Sequence, residues 1–484
     1  EYRDRLVEAI VETDDALMMQ YLEDSELSND DLLAAFASAV RRNELTPVLL
    51  TSATSAKGIS LLLDFLIEGV RRVEDHAALT TERGDPPKLG DGHPFSARVF
   101  KTVIDPYLGK VSMMRVLAGS LKPGETIKVT NRDGEVRAAH LYVPNGKDLI
   151  EVKELTAGMI GAVTKADVIH TGDTLVTGNQ DFVLSPIRFP SPVMALALHP
   201  KARPDEDKLG DALHKLLESD PTLVLERNAD TSQTVLWGMG HVHLEIAVNA
   251  LRERYGVSVD TTVPMVAYRE TITGKADERY RHKKQSGGSG QFAEVALRVE
   301  PLPRGGGFEF EWGVVGGTIP TQFQSSCEKG ARGALDAGVL GGFPVQDVKV
   351  TVYDGKDHPV DSKDVAFQVA AAHAFKDAMR NAKPTLLEPI VLVKVRVPDR
   401  FTGDVISDLN TRRGRILGME SEGSVSVVSA HVPMVEIQSY SADLRSLTGG
   451  RGAFSLKFDR YESAPQNIVD KVLADRKHQE QAAG

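Results

Sequence analysis

Between residues 205 and 220, Leu209, Ala212, Leu213, Leu216 and Leu217 recur at i, i+3, i+4, i+7 and i+8, the spacing of one helix face. Leu244, Ala247, Val248, Leu251 and Tyr255 repeat that spacing over 241–255. Around these stripes lie short apolar runs, PVMALALHP, TLVLER, TVLWGM and VSVDTTV, whose length and β-branched content predict strands. The resulting order over 191–263 is βαββαβ, the split-βαβ or ferredoxin-like arrangement. The same order recurs over 388–462, with IVLVKVRV, a helix over 401–413, ILGMES, SVSVVSAHV, a helix over 435–448 and GAFSLKFDRY. The two copies share no obvious sequence identity, so the repeat is one of architecture.

Between the copies, VAYRETI, FAEVALRVEPL, FEFEWGVV and QDVKVTVYDG read as strands, and Thr321–Ala337 as a helix. A further helix over Phe367–Met379 carries an apolar face of Phe367, Ala370, Ala371, Ala374, Phe375 and Ala378. Upstream, residues 93–186 contain six short strand-like runs separated by turn signals such as KPGE, RDGE and PNGK, which predicts a small antiparallel barrel. At the start of the chain, 1–22 and 28–41 read as amphipathic helices. PVLLTSATSAKG reads as a buried strand entering a loop, and Ile59–Val70 as another helix. Together these form the tail of an α/β unit, and the glycine- and proline-bearing stretch Arg72–Gly92 is a linker. The fold class is therefore multidomain α+β.

Composition narrows the function classes. A chain of 484 residues is too long for one core, so three to five domains are expected. Hydrophobic content of 41% with 26% charged residues is ordinary for a globular protein. No run has the length of a membrane span and the first residues lack a signal-like pattern. Cys327 is the sole cysteine, which excludes a disulfide framework and a cysteine-rich zinc site and fits a reducing, cytosolic setting. The formal charge of −11 excludes indiscriminate coating of nucleic acid, so any RNA contact must come from local basic patches.

One such patch is Arg279–Phe292, RYRHKKQSGGSGQF. Arg279, Arg281, His282, Lys283 and Lys284 precede a loop with Gly287, Gly288 and Gly290. Cations displace counterions, and glycine lets backbone N–H groups approach a phosphate chain. The same residues fit a solvated hairpin with a charged edge equally well. Asp354–Ser362, DGKDHPVDS, is a polar turn constrained by Gly355 and Pro359. Arg412, Arg413 and Arg415 cluster beside Gly414 at a helix end, where cations complement the helix dipole even without a ligand. His241 and His243 lack a third ligand nearby, so zinc is rejected. No G-x-x-x-x-G-K-[ST] loop occurs. Thr164–Asp167 and Asp207–Gly210 imitate guanine-reading and D-x-x-G motifs, but they fall in a strand-rich segment and in a helical pattern.

The blocks GMGHVHLEI, VPMVAYRETI, GGFPVQDVKVTVYDG, VDSKDVAF, LEPIVLVKV, GDVISDLNTRRGRILGME and DLRSLTGGRGAF, in that order, resemble those of the bacterial elongation factor G family, ribosomal translocases, over essentially the whole chain. The resemblance implies a C-terminal remnant of a GTPase domain at 1–75 and a β-barrel domain II at 76–187. Ferredoxin-like domains III and V at 188–264 and 388–464 flank an α+β domain IV at 265–387, with the C-terminal helix 465–484 packing on domain IV. It further implies a cytoplasmic monomer that binds the ribosome, its rRNA and proteins, with tRNA and mRNA, and couples GTP hydrolysis to their translocation. GTP and magnesium belong to the full-length protein. The phosphate cradle and switch segments would precede Glu1, so no catalytic residue and no bound cofactor or metal is expected in this chain.

Carried over by position, Ser52 and Ala53 are the guanine-contacting pair; Ser55-Ala56-Lys57 is a nearby competitor, but the spacing to Gly58 favours the first. The tip loops of domain IV are Gln285–Gln291 and Asp354–Ser362. RNA-facing candidates there are Lys283, Lys284, Gln285, Ser286, Gly287, Gly288, Gly290, Gln291, Asp354, Gly355, His358, Asp361 and Ser362, with Arg412, Arg413 and Arg415 in domain V. A histidine among polar residues hydrogen-bonds RNA in either charge state, although an exposed loop histidine without a role is the plain alternative for His358. Three departures stand out. GGSGQFAE replaces the family's usual GGRGQYG, placing Ser289 where a cation is common; Pro359 follows His358 where an acid is usual; and His241 replaces Glu. They fit a paralogue more comfortably than the housekeeping translocase. Two alternative functions share the domain order or content: a ribosomal-protection protein that releases tetracycline, and a non-catalytic ribosome-binding paralogue.

Overall fold

The computed structural model describes residues 2–23, 27–70, 79–284 and 290–483, with side chains described as far as 478. The chain divides into two compact units, Glu1–Arg188 and Phe189–Gly484.

The first unit opens with α1 (Tyr2–Val11), α2 (Asp15–Leu22), α3 (Asn29–Arg42) and α4 (Ile59–Glu68). The single helix expected over 1–22 is two. Asp14 adopts extended backbone, and its carboxylate accepts from the N–H groups of Ala16 and Leu17 at 3.0 and 3.2 Å, starting α2 afresh. The buried strand expected at PVLLTSATSAKG is absent. Val48 and Leu50 are 86% and 90% exposed, and no described strand runs beside them to satisfy a ladder. Eight antiparallel strands follow, in the order Glu135–Arg137, Thr126–Val129, Thr174–Val176, Ser96–Asp105, Gly109–Ala118, Ile160–Thr164, Leu141–Asn145 and Asp148–Val152. They curl around one core that includes Val99, Met114, Val116, Ile127, Leu141, Val163 and Leu175. The two outer strands of that order do not pair, so the barrel is a half-barrel.

In the second unit, α5 (Arg203–Ser219) and α6 (His241–Tyr255) cover a sheet ordered Val224–Asn228, Gln233–Gly238, Met194–Pro200, Val259–Thr262. This is the ferredoxin-like order, and the stripe leucines Leu209, Leu213, Leu244 and Leu251 fill the core beneath it. The next sheet runs Ala276–Lys284, Gln291–Pro301, Val348–Lys356, Phe308–Trp312, its last pair parallel. Helix α8 (Asp364–Asn381) packs on it through Phe367, Ala370, Ala371, Ala374, Phe375 and Ala378, all fully buried, and α7 (Gln324–Leu335) packs beside α8, adding Cys327, Ala331 and Ala334 to the same core.

The last domain repeats the ferredoxin-like order with α9 (Thr402–Thr411), α10 (Met434–Ile437) and α11 (Tyr440–Thr448). Its central strand, Pro384–Pro398, is 15 residues long. Its first four residues pair with Arg269–Ile272, and the remainder is flanked by Val425–Pro433 and Ala453–Ser463. The position between 387 and 388, where the sequence separates two domains, lies inside this strand. Finally α12 (Gln466–Ala483) lays Ile468, Val469, Val472 and Leu473 against Leu340, Phe343 and Leu386.

Candidate nucleic-acid interface

The hairpin Ala276–Lys284/Gln291–Pro301 is in continuous register up to Lys284 opposite Gln291. Residues 285–289 lie outside the described residues, so Gln285, Ser286, Gly287, Gly288 and the departure at Ser289 have no geometry to report. Strand alternation puts Arg279, Arg281 and Lys283 on one face and Tyr280, His282 and Lys284 on the other.

Two carboxylates engage the first part of this basic run. Arg279 and Arg281 donate to the buried Glu294 at 2.8 and 2.6 Å, and Arg279 also pairs with Asp354. Burial opposes ionisation of Glu294, but the two guanidiniums outweigh it and hold its carboxyl below the usual range. The Asp354 carboxyl is held down first by Arg279 and then by the Gly355 amide. Lys283 and Lys284 are exposed and have no acidic partner among the described residues.

The second tip segment is knitted to the first. Phe292 donates its backbone N–H to Asp361 O at 2.9 Å, and Ser362 Oγ donates to Phe292 O at 2.8 Å while accepting from the His358 N–H at 2.8 Å. A Cβ on Gly355 would sit 2.1 Å from Glu294 O, and one on Gly290 would sit 2.9 Å from the Asp361 carboxyl carbon, so glycine permits both close approaches. His358 Nδ1 accepts from the N–H groups of Val360 and Asp361 at 3.3 and 3.2 Å. Its Nε2 is left as the edge available to a ligand on a side chain that is half exposed. Gln291 contacts His282 at 3.0 Å, and the Phe292 ring lies 6.1 Å from the His358 ring and under Arg281.

The arginine cluster does not form one open surface. Arg412 bonds Asp408, Asp443 and Glu436 O and lies over the Tyr440 ring. Arg413, at φ 58°, makes a two-pronged bond to the buried Glu388, both arms 2.8 Å, and a further one to Glu436. Both are structural cations here, whereas Arg415 is exposed, with no partner among the described residues.

Ser52 and Ala53 open a tight loop before α4. Ser52 N–H donates to Lys57 O at 3.0 Å, Ser55 Oγ contacts Ser52 Oγ at 2.8 Å, and Gly58 takes φ 73° where a Cβ would meet Leu50 O at 2.4 Å. Ala53 is exposed and its N–H has no partner among the described residues. His243 is a structural residue: its Nδ1 accepts from the Met239 N–H and its Nε2 faces Asp220 at 2.8 Å. Burial works against the Asp220 charge, yet hydrogen bonds from Thr222 and His243 hold its carboxyl low.

Sequence reasoning passed over Glu294 at the tip and gave Phe292 no role there. Lys284 and Gln291 close the hairpin, and counting back from that pair in alternation sets Arg281 opposite Glu294, which was the available signal.

Four family models match consecutive stretches: elongation factor G domain 2 at 94–178, domain III at 189–263, domain IV at 264–383 and the elongation factor G C-terminus at 385–472. Elongation factor G of Aquifex pyrophilus is 43% identical over 485 residues, covering 98% of this chain and 69% of the relative. An elongation factor G-like protein of Thermotoga maritima is 41% identical over 484 residues, covering 99% and 71%. A crystal structure of a Thermus thermophilus protein superposes with a TM-score of 0.78 at 44% identity, covering 99% of this chain and 70% of that one. With consecutive domains matched and identity above 40% along the whole length, the chain belongs to the elongation factor G family of translation factors, which includes elongation factor G-like proteins.

Proposed function

We propose that this chain works on the ribosome as a translocase-type factor. Its domain IV tip holds tRNA and mRNA in register while they move, and GTP hydrolysis drives the cycle in the cytoplasm. The observation that supports this reading is the built tip. Two segments about seventy residues apart are tied by Ser362 and Phe292, and Lys283, Lys284 and the Nε2 edge of His358 are left for a polyanion. Ser52 and Ala53 would supply the guanine contact, and the chemistry of GTP and magnesium is assigned to no other residue of this chain. Arg415 is the one member of its cluster retained as an RNA contact.

The test is ribosome binding by the K283A/K284A variant across a salt series. Loss of two phosphate contacts makes the slope of log K against log[salt] shallower by about 0.7–0.9 per contact. The same variant slows tRNA–mRNA movement. A folded variant with unchanged slope and unchanged movement overturns the reading. Release of tetracycline from ribosomes without tRNA movement would transfer it to the ribosomal-protection class.

A further inference from the structure

We infer that a groove between the C-terminal turns of α8, the glycine-rich turn 337–342 and α12 is a second binding site for an RNA phosphodiester, distinct from the domain IV tip. This inference rests on the proposed ribosome-binding role and adds a contact to it. The groove is a concavity of about 220 Å3, and its lining includes Lys376, Arg380, Arg476 and Lys477 but no carboxylate among the described residues. The chain as a whole carries 68 acidic against 57 basic residues, so a concave lining that holds two lysines with no acidic partner among the described residues departs locally from that balance.

The floor of the groove is fixed by a buried carboxylate behind it. Glu270, fully buried, accepts the backbone N–H groups of Val339, Leu340, Gly341 and Phe343 at 2.5 to 3.1 Å. A Cβ on Gly338 would meet Glu270 Oε1 at 2.5 Å, and one on Gly341 would meet Leu473 of α12 at 2.8 Å. Those amides are therefore committed inward, and an anion in the groove is held by side-chain cations. Arg380 is paired with Asp377 at 2.8 Å, and Arg476 lies 5.9 Å from the centre of the Phe343 ring. Lys376 is half-buried and Lys477 exposed, and neither has an acidic partner among the described residues. Asp377, beside Lys376 on α8, is committed to Arg380, and Asp336 and Asp475 on the adjoining elements are exposed and do not line the groove. Cations near the end of α8 also complement its dipole. That effect does not account for Lys477, which belongs to another helix. No aromatic face lines the space among the described residues, so the ligand is the backbone phosphate of RNA, read without regard to base.

The test uses the full chain and ribosomes over the same salt series, with K376Q/K477Q, K376R/K477R and K283Q/K284Q in parallel. The inference expects K376Q/K477Q to make the slope shallower by about 1.4–1.8, for two contacts at about 0.7–0.9 each. The arginine variant keeps the wild-type slope, and thermal melting of all three is unchanged. If K283Q/K284Q lowers the slope while K376Q/K477Q leaves it intact, the groove inference is overturned and the proposed function stands. If the wild-type chain does not bind ribosomes, the proposed function falls first. Calorimetric titration with inorganic phosphate separates the sources. Saturable binding lost in K376Q/K477Q, with an unaltered ribosome slope, would make this a small-anion site and overturn the RNA assignment.

Discussion

Glu270 and Glu294 are buried carboxylates with opposite solutions to the same problem. Glu270 is neutralised by backbone dipoles, so Glu270→Gln turns an acceptor oxygen into a donor facing other donors. The expected cost is about 2–3 kcal/mol, read as lost hydrogen-exchange protection at Val339, Leu340 and Gly341. Glu294 is neutralised by Arg279 and Arg281, and its folded pKa lies below the ordinary 4.5. Asp354 lies below its ordinary 3.8. A depressed carboxylate contributes stability that is present above its unfolded pKa and lost as pH falls through the folded value. Melting of the wild-type protein should therefore drop steeply as pH falls below about 4.5, and Glu294→Gln should flatten that drop while lowering the melting point at pH 7. Equal pH profiles for the two proteins would refute the assignment. Apart from Arg281–Glu294, which the hairpin register sets opposite each other, none of these pairings was legible from local sequence. The partners of Arg279 stand at 294 and 354 and those of Arg413 at 388 and 436, so a run of cations reads as an open patch until register brings the acids in.

At the scale of elements, the helices and strands of both ferredoxin-like domains follow from the sequence because each helix shows one apolar face and each strand is bounded by turns. The strand expected near Val48 failed for a different reason. Its apolar residues match a buried strand, but a strand exists only where a neighbour completes its ladder. Helix pairing was equally invisible. Gly330 on α7 touches the backbone of α8, where a Cβ would lie 2.2 Å from Gln368 O. Gly330→Val should therefore force the helices apart and destabilise domain IV by about 1–3 kcal/mol or more, measured as a lower denaturant midpoint. Gly333, where an added Cβ meets nothing within 4 Å, should tolerate alanine on the same helix. Removal of Arg413 strands the buried Glu388, so Arg413→Ala should cost about 3–5 kcal/mol in the same assay.

For the whole molecule, the sequence conveys modular order, but it does not convey how closely the last modules are joined. Because Pro384–Pro398 is hydrogen-bonded to strands on both sides of position 387, Leu386, Leu387, Ile390 and Val391 should lose exchange protection in one step under mild denaturant. Two separated steps would show independent modules. A strand of 15 residues spans about 50 Å. The tip hairpin is rooted beside its start, where Thr273 and Gly274 donate to Lys383 and Ala382 carbonyls at 3.1 and 2.9 Å. Such a beam resists flexing and turns instead. A rotation of about 5° at its root would swing the end of a hairpin arm about 30 Å long through roughly 2.5 Å, so a slight torque on the C-terminal domain becomes a displacement of nearly one atomic diameter at the far end.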